Sequence, residues 1–199
     1  MSNVLLIISS PRADSYSTRA ARELSRRLAP GSTITVRDLN KKPVPHIDDA
    51  FAVARTRAPE ELTADQRATF QLSDALIEEL FKADVIIIAS AMINFGVSSS
   101  LKAYVDHIVR PRVTFRYSDK GAEGLVKGKK AYLVVARGSV FSQAPMQALN
   151  FQDTYLRSVL GLIGITDLET VAIEGTAYGA EAAEKALADA LAKVSTLAA

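Results

Sequence analysis

Residues 84–108 read DVIIIASAMINFGVSSSLKAYVDHI. From Val85 to Ser90 the run is apolar without alternation, as a strand covered on both faces requires. Leu101, Tyr104, Val105, Ile108 and Val109 then recur at helical spacing until Pro111 stops them. The turn between carries Met92, Ile93, Asn94, Phe95 and Gly96, and a solvent loop has little reason to hold so much apolar surface. Strand, turn and helix in this order make half of a βαβ unit.

The pattern repeats on both sides. NVLLIISS (3–10) is another continuous apolar run, and SYSTRAARELSRRLAPG (15–31) sets Ala20, Ala21, Leu24 and Leu28 at helical spacing, with Pro30 and Gly31 as the stop. STITVRDL (32–39) supplies a second strand, so strand, crossover helix and strand favour a parallel sheet. Residues 40–59 are Pro-rich and aperiodic, an expected surface excursion with one short helix. Thr63 and Gln66 fit a capping box opening one long helix over 64–83 with Phe70, Leu72, Leu76, Ile77 and Leu80 on its apolar face. VTFRY (113–117) alternates like a strand, while the Gly-rich 118–130 is expected outside regular structure. Residues 129–139 give the fourth sheet strand, 155–165 a helix with a broad apolar face, 167–175 the fifth strand and 180–198 an Ala-rich helix. Five strands alternating with helices predict an open doubly wound sheet. Neither repeat nor linker appears, so a single domain over 1–199 is expected.

Composition narrows the chemistry. The 199 residues are 48% hydrophobic and 23% charged, in the range of globular proteins. Twenty-four Lys and Arg balance 22 Asp and Glu with no basic stripe, so nucleic acid is not an expected partner. With no Cys, disulfides, thiolate metal sites and a Cys nucleophile are excluded. His46 and His107 lie outside any ligand spacing, so no metal site is expected; His107 sits off the apolar stripe and is expected to be exposed or interfacial. The opening VLLII is too short to span a membrane and lacks a secretion signal's flanks, which makes the cytoplasm the expected location.

In such sheets ligands bind beyond the carboxyl ends of the strands, where strand order reverses. If the order is 2-1-3-4-5, three ends converge: SSPRADSYST after the first strand, SAMINFG after the third and ARGSVFSQ after the fourth. Ser9, Ser10, Ser15 and Ser17 surround a turn that opens a helix, where hydroxyls and free N–H groups suit a phosphate; plain helix capping explains them as well. No Gly-x-Gly-x-x-Gly or Gly-x-x-x-x-Gly-Lys pattern supports a conventional dinucleotide or triphosphate site. Met92 to Phe95 could flank a planar ring, with Asn94 offering donor and acceptor and Gly96 allowing an unusual turn; core-edge packing is the other reading. Gly138, beside Arg137, would let the backbone approach a flat ligand. No nucleophile or acid–base pair stands out, which favours a bound organic cofactor over catalytic side chains.

SSPRADSYS, DLNKKPVPHID, AMINFG, VTFRYSDKGAEGLVKGKKAYLVVARG and LGLIGITDLETVAIEG, in this order, resemble the bacterial FMN-dependent NADH azoreductases and NAD(P)H quinone reductases over essentially the whole chain. The resemblance implies a flavodoxin-like, three-layer α/β sandwich with a five-stranded parallel sheet in the order 2-1-3-4-5. It implies FMN as cofactor, NADH or NADPH as donor, and ping-pong two-electron reduction of quinones and aromatic azo compounds. It also implies a homodimer with flavin sites at the interface. By the same resemblance Ser10 and Ser15, Tyr16 and Ser17 would hold the FMN phosphate, Met92, Ile93, Asn94 and Phe95 would line the ring, and Ala136, Arg137, Gly138 and Ser139 would approach its other edge, with Tyr117 reaching the pocket. Ile93 stands where Tyr is frequent, Ala136 where Ser is, and Val159 where a bulky Phe occurs, so substrate choice is expected to differ. A flavodoxin-like electron carrier, and a phosphosugar or nucleotide enzyme without flavin, remain as rivals.

Overall fold

The computed structural model describes residues 2–28, 31 and 33–197. Pro30, expected to close the first helix, lies outside them. Five strands form one parallel sheet: β1 (Asn3–Ile8), β2 (Thr33–Asp38), β3 (Val85–Ala91), β6 (Lys130–Ala136) and β7 (Asp167–Ile173). Their order is β2-β1-β3-β6-β7, which is 2-1-3-4-5 counted over this sheet alone. Registers run Asn3 with Thr33, Val4 with Val85, Val85 with Lys130 and Lys130 with Asp167, so all five carboxyl ends emerge at one edge.

Successive side chains of a strand point to opposite faces, and the two faces have separate cores. Leu5, Ile7, Ile86, Ile88, Leu133 and Val135 pack under α4 (Gln71–Lys82), α5 (Ser99–Ile108) and α6 (Phe151–Ile163). Val4, Leu6, Ile8, Ile87, Tyr132 and Val134 pack under α1 (Tyr16–Leu28) and α7 (Ala180–Leu197). This two-sided burial is why β1, β3 and β6 read as unbroken apolar runs, each fully buried Leu or Ile contributing about 1.5–3 kcal/mol. The flavodoxin-like α/β fold is thus the observed one. Among the described residues no helix is long and apolar enough to cross a membrane.

Between the sheet strands, α2 (Asp49–Ala54) is the one short helix expected in the excursion, capped by Asp48 accepting from the Phe51 N–H at 2.8 Å. The capping box at Thr63 and Gln66 is present, but it opens only α3 (Ala64–Ala68). The expected single helix breaks at Thr69 and Phe70, where the Phe70 ring packs edge-on to Phe51, 5.2 Å between centroids. Residues 118–130 also depart from expectation. β4 (Phe115–Ser118) and β5 (Gly121–Gly124) form an antiparallel hairpin, tied across its strands by Arg116 donating to Glu123 at 2.8 Å. Gly124 is required there: a Cβ would lie 2.1 Å from the Gly164 backbone nitrogen at the end of α6. His107 is buried, not exposed. Its Nε2 lies 3.1 Å from the Pro45 carbonyl and its ring 4.8 Å from that of Phe51, so the excursion covers it.

Candidate functional site

At the carboxyl edge of the sheet a cleft of about 450 Å³ opens between the β1–α1 turn, the segment after β3 and the ends of β6 and β7. That volume falls in the usual range for small-molecule sites. Ser10, Pro11, Arg12, Ser15 and Tyr16 form one end, and Ala91, Met92, Ile93, Ala136, Gly138, Thr176 and Ala177 the other.

The serine end is a compact hydroxyl cluster. Ser10 and Ser17 share a hydrogen bond of 2.7 Å, Ser15 and Ser17 one of 3.2 Å, and Ser15 donates to Thr18 Oγ1 at 2.8 Å. Ser15 also caps the helix by accepting from the Thr18 N–H at 3.2 Å. Helix capping is thus observed for Ser15. Ser10, Ser15 and Ser17 are all buried, and Asn40 pins the turn by donating to the Ser10 carbonyl at 2.8 Å. The first turn of α1 contains no acidic residue, and the nearest carboxylate, Asp14 just before Ser15, is exposed and 3.9 Å from Arg19.

The opposite wall is built by a tight turn. Ile93 and Gly96 exchange backbone hydrogen bonds of 3.0 and 2.9 Å, and Asn94 and Phe95 between them have φ of +46° and +68°. That is the pattern of a two-residue hairpin whose central residues both turn left-handed. The unusual geometry expected at Gly96 thus falls on Asn94 and Phe95 instead. Asn tolerates it; a phenylalanine there carries strain that its surroundings must hold. The Phe95 ring meets that of Phe141 edge-on, 6.1 Å between centroids, and is itself 43% exposed. Met92 is anchored by its N–H donating to the Ala136 carbonyl at 2.8 Å.

Of the residues singled out from sequence, Ser10, Ser15, Tyr16, Met92, Ile93, Ala136 and Gly138 line the cleft together. Ser17 lies just beneath, bonded to Ser10 and Ser15. Asn94 and Phe95 form the tip of the turn without lining the cleft. Ser139 is one residue beyond the wall, its carbonyl accepting from Gly175 at 3.3 Å. Tyr117, 77% exposed, borders a different groove of about 700 Å³ with Arg55, Arg112 and Arg116. The Arg137 side chain is buried away from the cleft, donating to Gln152 at 3.1 Å and Glu174 at 2.9 Å and lying 2.9 Å from Asp153. Burial pushes the Glu174 carboxyl up, but Ser142, the Phe141 N–H and Arg137 outweigh it and hold it below the usual range.

Sequence reasoning missed Thr176 and Ala177. Their signal was EGTAYG directly after the fifth strand, whose end adjoins that of the fourth in this strand order.

Comparison with known proteins agrees with this architecture. A family model described as a flavodoxin-like fold matches residues 2–198. The FMN-dependent NADH:quinone oxidoreductase 1 of Rhizobium etli is 49% identical over 201 residues, covering 100% of this chain and 98% of that protein. Among solved structures, an azoreductase from Bacillus anthracis str. Sterne superposes with a TM-score of 0.90 at 25% identity, covering 100% and 99% of the two chains. An FMN-dependent NADH-azoreductase of Bacillus anthracis str. Ames Ancestor, solved in complex with FMN, has a TM-score of 0.86 at 24% identity with both chains fully covered, a likeness of fold. With that identity carried over the full length and the same doubly wound sheet, this chain belongs to the flavodoxin-like family of FMN-dependent NADH:quinone oxidoreductases and azoreductases.

Proposed function

We propose that this protein is an FMN-dependent NADH:quinone oxidoreductase that also reduces aromatic azo compounds. The observation that carries the reading is the cleft itself, with a buried hydroxyl cluster at a helix N-terminus and a slot walled by small and apolar residues. The residues present fit FMN. Ser10, Ser15, Tyr16 and Ser17 would hold the phosphate, because hydroxyls, free N–H groups and the positive end of the helix dipole all favour an anion. Ala91, Ala136, Gly138 and Ala177 leave room for a flat ring, and Met92 and Ile93 offer it apolar contact. When bound, FMN supplies the two-electron chemistry that links a nicotinamide donor to a quinone or azo acceptor.

The protein's part is positioning and electrostatics. The Ile93–Gly96 turn and the Gly138 segment hold the walls apart, and the apolar face of the turn excludes water. Asn94, Arg137 and Ser139 belong to the proposed ring environment at one remove, Asn94 by its amide at the turn tip and Arg137 by holding the wall from behind; Tyr117, on a separate groove of this chain, is left out of it. No side chain is assigned as acid, base or nucleophile, since solvent can protonate the product.

We assign the chain to one domain over 1–199, to the cytoplasm, and to a homodimer with the flavin sites at its interface. Exposed Ile93 and Phe95 support the dimer, because aromatic and aliphatic surface beside a cleft is a usual mark of a covered face.

The test is Ser17→Asp. Like charges in a partly desolvated site cost several kcal/mol, so FMN affinity should fall by about 100-fold or more, equivalent to about 2.7 kcal/mol. Unchanged FMN retention in a folded variant would count against a phosphate nest there.

A further inference from the structure

Behind the cleft lies a polar network, buried at Arg137 and Gln152 and reaching solvent at Ser142, that the proposed reaction does not use. Glu174, at the end of β7, accepts from Arg137 Nη1 at 2.9 Å and from the Phe141 backbone N–H at 2.8 Å through Oε1, and from the Ser142 hydroxyl at 2.6 Å through Oε2. Arg137 reaches Gln152, whose amide donates to Ser90 Oγ at 2.9 Å, so the ends of β3, β6 and β7 are joined below the cleft floor. Arg137 and Gln152 are almost wholly buried, a setting in which polar groups hold their geometry only while every partner is present. The carboxylate thus grips residues 141–142, and the buried Phe141 ring is what the left-handed Phe95 rests on.

We propose that Glu174 is a positioning residue for the proposed flavin site: by holding Phe141 against Phe95 it maintains the strained Ile93–Gly96 turn that walls the cleft. The inference rests on the reading of the cleft as an FMN site for its effect on affinity, but its structural half stands without cofactor. A chain that lost the grip would let Phe141 swing away, and the turn, lacking glycine at its left-handed positions, would open.

The experiment is a double-mutant cycle on Glu174→Ala and Phe141→Ala, read in two ways. In FMN-free protein, hydrogen exchange at the Ile93 and Gly96 amides, which bond each other's carbonyls, should quicken about tenfold in either variant while β1 and α7 amides stay protected. FMN titration should show dissociation constants raised about tenfold by each change and little further by both together, since the two act in series. Glu174→Gln, which keeps an acceptor for the Phe141 N–H, should recover part of the loss. If Glu174→Ala does not fold, Glu174→Gln and Phe141→Ala carry the exchange comparison. Exchange at Ile93 and Gly96 unaltered by the Glu174 change, or an additive hundredfold loss in the double variant, overturns the proposal. Failure of the unaltered protein to bind FMN would overturn the cofactor reading instead, and the exchange result would still judge the role of Glu174.

Discussion

Replacing Gly124 by Ala adds one methyl group where there is no room for it. Its Cβ would lie 2.1 Å from Gly164 N, 2.3 Å from Gly164 Cα and 2.4 Å from the Ile163 carbonyl carbon, all main-chain atoms that cannot rotate away. Carbon contacts are favourable at about 3.5 Å and beyond, so hairpin and helix end must part by more than an ångström. Overpacking of this kind costs about 1–3 kcal/mol. The separation also strains the bond from the Val126 N–H to the Ile163 carbonyl, 2.8 Å long and worth about 0.5–1.5 kcal/mol. A total of about 2–4 kcal/mol lowers the melting temperature of a chain this size by about 5–15 °C. Gly161→Ala is the control: on the exposed side of α6 nothing lies within 4 Å of its Cβ, and a helical Gly to Ala change stabilises by about 0.5–1 kcal/mol. Thermal unfolding followed by circular dichroism should therefore move in opposite directions for the same chemical change at Gly124 and at Gly161. A Gly124→Ala variant melting within about 2 °C of the parent would refute the close approach.

Thr114→Val should cost about 2–3 kcal/mol, measurable by urea unfolding, because the buried hydroxyl accepts from the Arg110 N–H at 3.0 Å and donates to the Ile108 carbonyl at 2.7 Å, and a methyl leaves both without it. Burial lowers the His107 pKa, opposed by the Pro45 carbonyl and by Asp106, with Arg110 adding to the lowering and Asp48 opposing it. The unfolded chain then binds the proton first, so stability should fall as pH drops below about 6.5, by at most about 1.4 kcal/mol per pH unit, and His107→Gln should flatten that slope in denaturant midpoints taken from pH 7.5 to 5.

The sheet was readable because β1, β3 and β6 are buried on both faces and so carry a local signature: uninterrupted apolar runs, each followed by a helix. Alternating strands and helices required only a parallel sheet; the order 2-1-3-4-5 was implied by the family resemblance and is the one observed. What escaped depends on partners distant in sequence. Apolar spacing runs on through Phe70, and the partners that hold its ring, Phe51 and Arg110, lie far off in sequence. Gly124 looks like a breaker until Gly164 is brought against it. His107 looked exposed because Pro45, which covers it, lies 62 residues away. At the candidate site the serine turn and the Met92 to Phe95 bend were legible from residue type. The inward course of Arg137 was not, since Glu174 and Asp153 reach it from other elements.

The most direct measurement is a titration of the purified protein with FMN, followed by flavin fluorescence and by the absorption spectrum, in parallel with Ser17→Asp. The account predicts saturable uptake of one FMN per chain by the parent and loss of that uptake in the folded variant. A parent protein that stays colourless in excess FMN would contradict it, for the serine cluster would then hold no phosphate and the cleft no ring.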